Sequence, residues 1–475
     1  MAVDLKKIPL HFFNTESRKK EAFKPNDNIV TLYTCGPTVY DYAHIGNFRA
    51  YMFEDLLRRT LKYFGYNVKQ AMNLTDVDDK TIRGAIAKKV GLNEYTKTYK
   101  DAFFKDLKIL NIEPVEFYPA ATDYIPDMIE MISTLQKKGF AYQGKDGSVY
   151  YPISKFKRYG CLSHLHLDEL QAGASERVNT DEYDKDHVAD FVLWKNYDPA
   201  RDGDIYWESP FGKGRPGWHL ECSTMAIRLL GNTVDIHCGG VDNMFPHHEN
   251  EIAQSEAYSD KQFVRYWMHA EHLLVDNKKM SKSLGNFYKL QDLLDKGFTG
   301  PQIRYMLIHT HYKSQLNFTF AGLEGAKVSL QRLNDFIHRL TEINSGEDGG
   351  KVAPILQKAE QDFANGLADD LNISVSLAAL FDLVREINAL ADAKQVGTHE
   401  AQQLLDLLKR FNTVLGFLDF KQELDIPQDV KEAFENRLKA RKEKNYAQAD
   451  QYRDYILSKG YVIEDTSQGA RLKKS

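Results

Sequence analysis

Cysteine is scarce in this chain. Its 475 residues hold four, Cys35, Cys161, Cys222 and Cys238, too scattered for the disulfide framework of a small secreted domain. Burial or metal binding is left as their use. Long apolar runs are missing too. No stretch reaches the roughly 18 apolar residues of a membrane-spanning helix, and the opening MAVDLKKIPLHFFNTESRKKEAF lacks a signal-peptide core. A soluble, cytoplasmic protein without a membrane partner is expected. Nor does charge of one sign prevail: 62 basic residues face 67 acidic ones, so only a local patch can mark a polyanionic partner. With 43% hydrophobic and 27% charged residues the composition is ordinary globular. The length exceeds what one hydrophobic core fills, so several domains are expected.

What is present begins with alternating strand and helix patterns. NIVTLYTCG, residues 28–36, reads as a strand ended by Gly-Pro. A helix is predicted over residues 46–64, where Phe53, Leu56, Leu57, Thr60, Leu61 and Phe64 recur at helical spacing before Gly65. Residues 66–76 read as a second strand and 79–90 as a helix. This βαβ order predicts a parallel sheet with ligands at the strands' carboxyl ends, where the 35–47 loop falls. An amphipathic helix follows over 122–140, then an Asp146-Gly147 hairpin and the apolar strand DFVLWK at 190–195. The polar, turn-rich text of 140–215 reads as an insertion. The sheet pattern resumes with a helix at 219–230, a strand at 234–240, a helix at 247–257 and a strand at 272–276. Beyond Leu290 no strands are predicted. Helical text runs to Leu418, interrupted by NSGEDGGK at 344–351, and DIPQD at 425–429 marks a further joint.

Three motifs carry chemistry. HIGN, His44 to Asn47, sits at a strand-to-helix mouth, where glycine admits a ligand, helix N–H groups face phosphate, and imidazole donates to developing charge. Alone it is weak, since a histidine there is ordinarily a cap. KKMSKSLGN, Lys278 to Asn286, puts Lys279, Ser281 and Lys282 on a loop suited to closing over a triphosphate. Its plain alternative is a surface loop. GWHLECS and PHHENEIAQSE supply Cys222, His247 and Glu251. His247 and Glu251 stand i, i+4 on a predicted helix and point one way. With Cys35 they can form a tetrahedral Cys₂HisGlu zinc site, for which His248 competes with His247. Cys161 and Cys238 read as packed. The last stretch, residues 430–475, carries eleven basic against seven acidic side chains, with Tyr446, Tyr452 and Tyr461 among them. Basic charge with interleaved rings suits a single-stranded RNA loop.

HIG and KMSKS in this order, around an interrupted βαβ sheet, resemble a class I aminoacyl-tRNA synthetase. A closer resemblance, to the cysteinyl-tRNA synthetases, rests on CGPTVYDYAHIGN, NLTDVDDK, GWHLECS, DIHCGGVDNMFPHHENEIAQSE, KMSKS, DDLN and IEDTSQG, and spans nearly the whole chain. It implies a Rossmann-type α/β catalytic domain split by a connective insertion, then a helical bundle and a small C-terminal domain. The implied bounds are 1–139 and 216–277 for the two catalytic halves, 140–215 for the insertion, and 278–318 for the KMSKS and stem-contact segment. The bundle takes 319–420, and 421–475 is the anticodon-binding domain. The implied reaction joins L-cysteine to tRNA(Cys) with ATP, in the company of Mg²⁺ and one Zn²⁺ per chain. By the same resemblance Cys35, Cys222, His247 and Glu251 are the zinc ligands. His44, Asn47 and Lys282 are catalytic, and Gly46, Lys279 and Ser281 join them around ATP. Asn47 stands where the family signature has a second histidine; an amide donates a hydrogen bond but carries no charge. Trp218 closing over the cysteine, Asp242 holding its ammonium or the ribose, and a monomeric state are further expectations. A buried tryptophan and a capping aspartate are their plain alternatives.

Zinc answers a discrimination problem, because cysteine and serine differ by one atom and only a bond to that atom separates them well. Two thiolates and a carboxylate leave Zn²⁺ at −1, a poor generator of hydroxide, which speaks against a zinc hydrolase. Two rivals remain at this stage. One is a ligase joining cysteine to an amino sugar, which gives no reason for a basic C-terminal domain. The other is a non-catalytic zinc-containing RNA-binding protein, which gives no reason for intact HIG and KMSKS loops.

Overall fold

The computed structural model describes residues 3–165, 190–345, 348–420, 427–466 and 469–474. They fall into two compact units, Met1–Leu418 and Asp419–Ser475. At the centre of the larger unit is a four-stranded parallel sheet in the order Val264–Ala270, Val234–Gly240, Ile29–Thr34, Asn67–Met72. Thr34 lies opposite both Met72 and Cys238. The residues that follow these strands therefore emerge together at one carboxyl edge, the edge used for ligands in open α/β sheets.

The helix Ile45–Tyr63 leaves that edge and is buried along most of its length. Asp55, Arg58 and Arg59 are paired inside the protein, whereas both carboxylate oxygens of Glu54 are buried without a hydrogen-bond partner. Asp55 Oδ2 accepts from Arg59 Nε at 2.7 Å and from Arg304 Nη2 at 2.5 Å, and Arg304 Nε donates to the Leu415 carbonyl at 2.6 Å. Arg304 and Asp55 are fully buried, so breaking either partner would strand a charge away from water. This knot ties the helices Gly300–Ile308 and Thr398–Leu415 to the helix Ile45–Tyr63. Among the helices Phe320–Glu342, Val352–Ala368, Ile373–Asp392 and Thr398–Leu415, Phe363 stacks on Phe411 with centroids 3.9 Å apart.

The insertion carries an antiparallel sheet of Tyr142–Gln143, Val149–Tyr151, Phe191–Asn196 and Gly214–Pro216. Gly147 sits at φ 84° in its first turn, as Asp-Gly predicts. Residues 166–189 of the insertion lie outside the described residues, as do 346–347 of the expected linker, 425–426 of DIPQD and 467–468 of IEDTSQG.

Several expectations are corrected. The fourth parallel strand is Val264–Ala270, not residues 272–276. Leu273–Val275 instead joins Lys278–Lys279 and Leu316–Phe318 in a separate three-stranded sheet. Asp276 and Asn277, both at positive φ, turn the chain back at once and leave no length for a central strand. Strands do not end at Leu290, as Leu316–Phe318 and the hairpin Tyr461–Thr466/Gly469–Lys474 show. Before the first parallel strand, His11–Asn14 and Lys19–Ala22 pair antiparallel, and Asp370 of DDLN accepts from Phe13 N at 2.8 Å. In the smaller unit Tyr461 is buried and Tyr452 packs against the core, so of the three expected rings only Tyr446 is well exposed.

Candidate active site and metal cluster

Cys35 follows the central strand directly, and Gly36 is where the chain must pass close to its neighbour. A Cβ there would lie 1.9 Å from the Asn73 carbonyl oxygen; no side chain fits. Cys222 sits one turn into the helix Trp218–Leu230, and Glu251 in the first turn of Glu249–Ser259, which His247 precedes. One donor atom each from Cys35, Cys222, His247 and Glu251 lie within 4.8 Å of one another. A second quartet, Cys35, His237, His248 and Glu251, meets the same limit. His247 lies in the wide turn Met244–His248 that runs directly into the helix Glu249–Ser259, and the kink at Phe245 comes before it. The pair meets, with His247 Nε2 2.9 Å from Glu251 Oε1.

That contact tests whether a metal fits. Glu251 Oε1 is buried without a hydrogen-bond partner, so the nearby imidazole N–H does not point at it. An orphaned carboxylate oxygen, an imidazole and two thiols facing one small volume make a donor set that fits a metal ion such as zinc. The shell around it fixes orientation. His219 Nδ1 lies 2.9 Å from His247 Nδ1, and His237 Nε2 lies 3.0 Å from Glu251 Oε2. Cys35 Sγ lies 3.3 Å from His248 Nε2, whose other nitrogen faces His269 Nε2 at 2.8 Å. The Cys35 hydrogen bond draws the Cys222 thiol down to about 6, against the effect of burial. Burial holds Glu251 up and His247 down, but the charges of His237 and then His247 take Glu251 to about 2, and those of Glu251 and then Cys222 take His247 to about 10. Sequence reasoning missed His219, His237 and His269; GWHLECS held the signal for His219, one turn before Cys222.

At the mouth, His44 is the N-cap of its helix. Its N–H donates to Asn47 Oδ1 at 3.1 Å, and Asn47 N–H donates to His44 Nδ1 at 3.2 Å. The plain expectation of a capping histidine is thus met, and the box explains Asn47, whose oxygen does the capping. With Nδ1 accepting, the His44 proton sits on Nε2. Burial brings the ring down to about 4 although Asp242 and Asp41 favour its cation, leaving a neutral donor at physiological pH. A Cβ on Gly46 would meet Met280 Cε at 2.9 Å, so the HIGN turn and the KMSKS loop touch. Lys279 and Ser281 are held by the loop's own bonds, Asn286 Nδ2 donating to the Lys279 carbonyl at 3.2 Å and Leu284 N to Ser281 Oγ at 3.3 Å. Lys282 is exposed and pairs with Asp41.

Trp218 stacks on His247 at 4.2 Å and borders a cleft of about 140 Å³ with Asp79, Tyr150, Lys195 and Arg215. Asp242 is exposed two residues past the strand Val234–Gly240. Cys238 is buried and Cys161 half-buried, and neither joins a quartet. Much of NLTDVDDK holds structure: Asp76 accepts from Thr122 N at 2.9 Å and Asp78 caps the helix Asp79–Lys88.

A split parallel sheet with HIGN at its first strand–helix turn and KMSKS against that turn defines a class I aminoacyl-tRNA synthetase. The fold is shared with Mycobacterium tuberculosis methionyl-tRNA synthetase solved with methionyl-adenylate, at TM-score 0.58 and 14% identity over 82% of this chain and 90% of that one. The family described as tRNA synthetases class I (C) catalytic domain matches residues 22–328, and the DALR domain matches 362–419. The cysteine–tRNA ligase of Protochlamydia amoebophila (strain UWE25) is 66% identical over 472 residues, 99% of each chain. That of Chlamydia felis (strain Fe/C-56) is 55% identical over 469 residues, 98% of each. The chain belongs to the cysteinyl-tRNA synthetase family. It is a ligase, which sets aside the non-catalytic reading. No helix among the described residues is long and apolar enough to cross a membrane.

Proposed function

We propose that the protein activates L-cysteine with ATP and transfers it to the 3′ end of tRNA(Cys), selecting the substrate side chain at the metal cluster. The observation that carries this is the quartet of Cys35, Cys222, His247 and Glu251, set at the same sheet edge as the HIGN turn. Bound there, one Zn²⁺ supplies a preference for thiolate over neutral hydroxyl, the difference between cysteine and serine. The first quartet suits it better than the second, because both His237 nitrogens face oxygens, Glu251 Oε2 at 3.0 Å and the Cys238 carbonyl at 3.3 Å. His237 would then orient Glu251 through Oε2, so that Oε1 would be free to help hold the metal.

The chemistry occurs at the other end of the amino acid. A cysteine carboxylate oxygen bonds to the ATP α-phosphorus while the bond to pyrophosphate breaks, a step that needs positioning and charge stabilisation above all. His44 Nε2–H and the Asn47 amide donate to phosphate, Gly46 keeps the helix N-terminus open, and Lys279, Ser281 and Lys282 bear on the triphosphate with its Mg²⁺. Trp218, stacked on His247, walls the cysteine pocket, and Asp242 takes the substrate ammonium or the ribose. The tRNA 3′ hydroxyl then attacks the adenylate carbonyl and AMP leaves. The anticodon is assigned to the C-terminal unit, whose helix Gln428–Lys442 ends in Lys439, Arg441 and Lys442 and whose Tyr446 is exposed. The protein works in the cytoplasm as a monomer.

Cysteine-dependent ATP–pyrophosphate exchange tests this. Exchange with cysteine and none above background with serine is expected; equal exchange with both contradicts side-chain selection, and none with either contradicts the adenylation step.

A further inference from the structure

Lys282 and Asp41 lie 241 residues apart in sequence, yet Lys282 Nζ donates to Asp41 Oδ2 at 2.8 Å. Asp41 stands three residues before His44, on the loop leading into the HIGN turn. Its other oxygen accepts from Tyr42 N at 2.8 Å and lies 3.7 Å from Lys289 Nζ. The two lysines are held differently. Lys289 is fixed by its backbone, which bridges His44 while Ile45 N donates to the Tyr288 carbonyl at 2.9 Å. Its ammonium also rests 4.7 Å over the Tyr42 ring. Lys282 belongs to the exposed loop, with two-thirds of its side chain in solvent. Its ammonium rests 5.3 Å over Phe287, whose ring meets His44 edge-on at 4.9 Å.

We infer that Asp41 is a positioning residue that parks Lys282 at the active-site mouth and releases it to the triphosphate when ATP binds. This rests on the adenylation reading above. A carboxylate and a polyphosphate compete for one ammonium, and the more highly charged phosphates win it. When Lys282 leaves, Lys289 still neutralises Asp41, so release strands no charge. The parked pair is exposed and correspondingly weak, as a latch opened by substrate must be. The side chains beside Asp41 hold its carboxyl below the usual range despite partial burial, so it is ionised wherever the enzyme works.

Asp41→Asn keeps the shape and removes the competing charge. In cysteine-dependent exchange its KM for ATP should fall roughly two- to five-fold, the range an exposed ion pair supplies, with kcat and the KM for cysteine unchanged and Asp41→Glu restoring the parent value. In a Lys282→Ala background the same change should leave the KM for ATP within about 1.5-fold, since no ammonium remains to be released. A higher KM for ATP or a lower kcat on Asp41→Asn overturns the inference. So does an equal effect in the Lys282→Ala background, which would mark plain repulsion of ATP. Exchange by the parent chain with an unchanged Asp41→Asn variant defeats this inference alone; no exchange by the parent defeats the adenylation reading as well.

Discussion

Cys222→Ser should lose the bound metal and at least about 1,000-fold of cysteine-dependent exchange, because a site built to bond one atom discriminates by four to five orders of magnitude when that bond is made. Cys222 is 1% exposed, on the helix Trp218–Leu230. Serine matches its shape, so near-wild-type circular dichroism and ATP binding are expected. What changes is the donor. A hydroxyl is a far weaker zinc ligand than a thiolate, and Cys222 is the thiol of the pair already drawn towards the anion. Glu251 Oε1 and Cys35 would then face a volume with one anion fewer. The same assay with serine should show the residual preference for cysteine falling towards unity. A variant that keeps both its metal and its preference refutes the assignment.

Lys282→Ala should lower kcat for exchange about 100- to 1,000-fold, the usual loss on removing one charge-stabilising donor from a transition state. The side chain is exposed and its one salt bridge is to Asp41 among the described residues, so stability should be unaffected. The KM for cysteine should be unmoved, since the metal quartet is untouched. Lys282→Arg should recover part of the rate, because charge survives while reach and hydration differ. A loss below about tenfold would mean that the loop closes without using this ammonium.

Much of this was legible in the sequence where residues act through local rules. The helical spacing of Phe53 to Phe64 and the Asp146-Gly147 turn are short-range signals, and the structure has the helix Ile45–Tyr63 and the hairpin they predict. The strand Val264–Ala270 escaped because Arg265 and His269 interrupt its apolar text, although five of its seven residues from Tyr266 onward are buried. His269 is tolerated there because Thr15 and His248 accompany it at 2.8 Å each, and such partners have no sequence signature. The candidate metal quartet was readable only because cysteine is rare here; the histidines behind it, and the Asp41–Lys282 pair, depend on contacts that topology creates. Asn47 looked like a defect of the signature until its capping bond to His44 was seen.

The most direct measurement is zinc K-edge X-ray absorption on the purified full-length protein, alone and with cysteine or serine. A sulfur shell at about 2.3 Å should count two sulfurs in the free protein and three with cysteine, and stay at two with serine. A shell unchanged by cysteine, or one equally changed by serine, would contradict selection of the substrate through its sulfur.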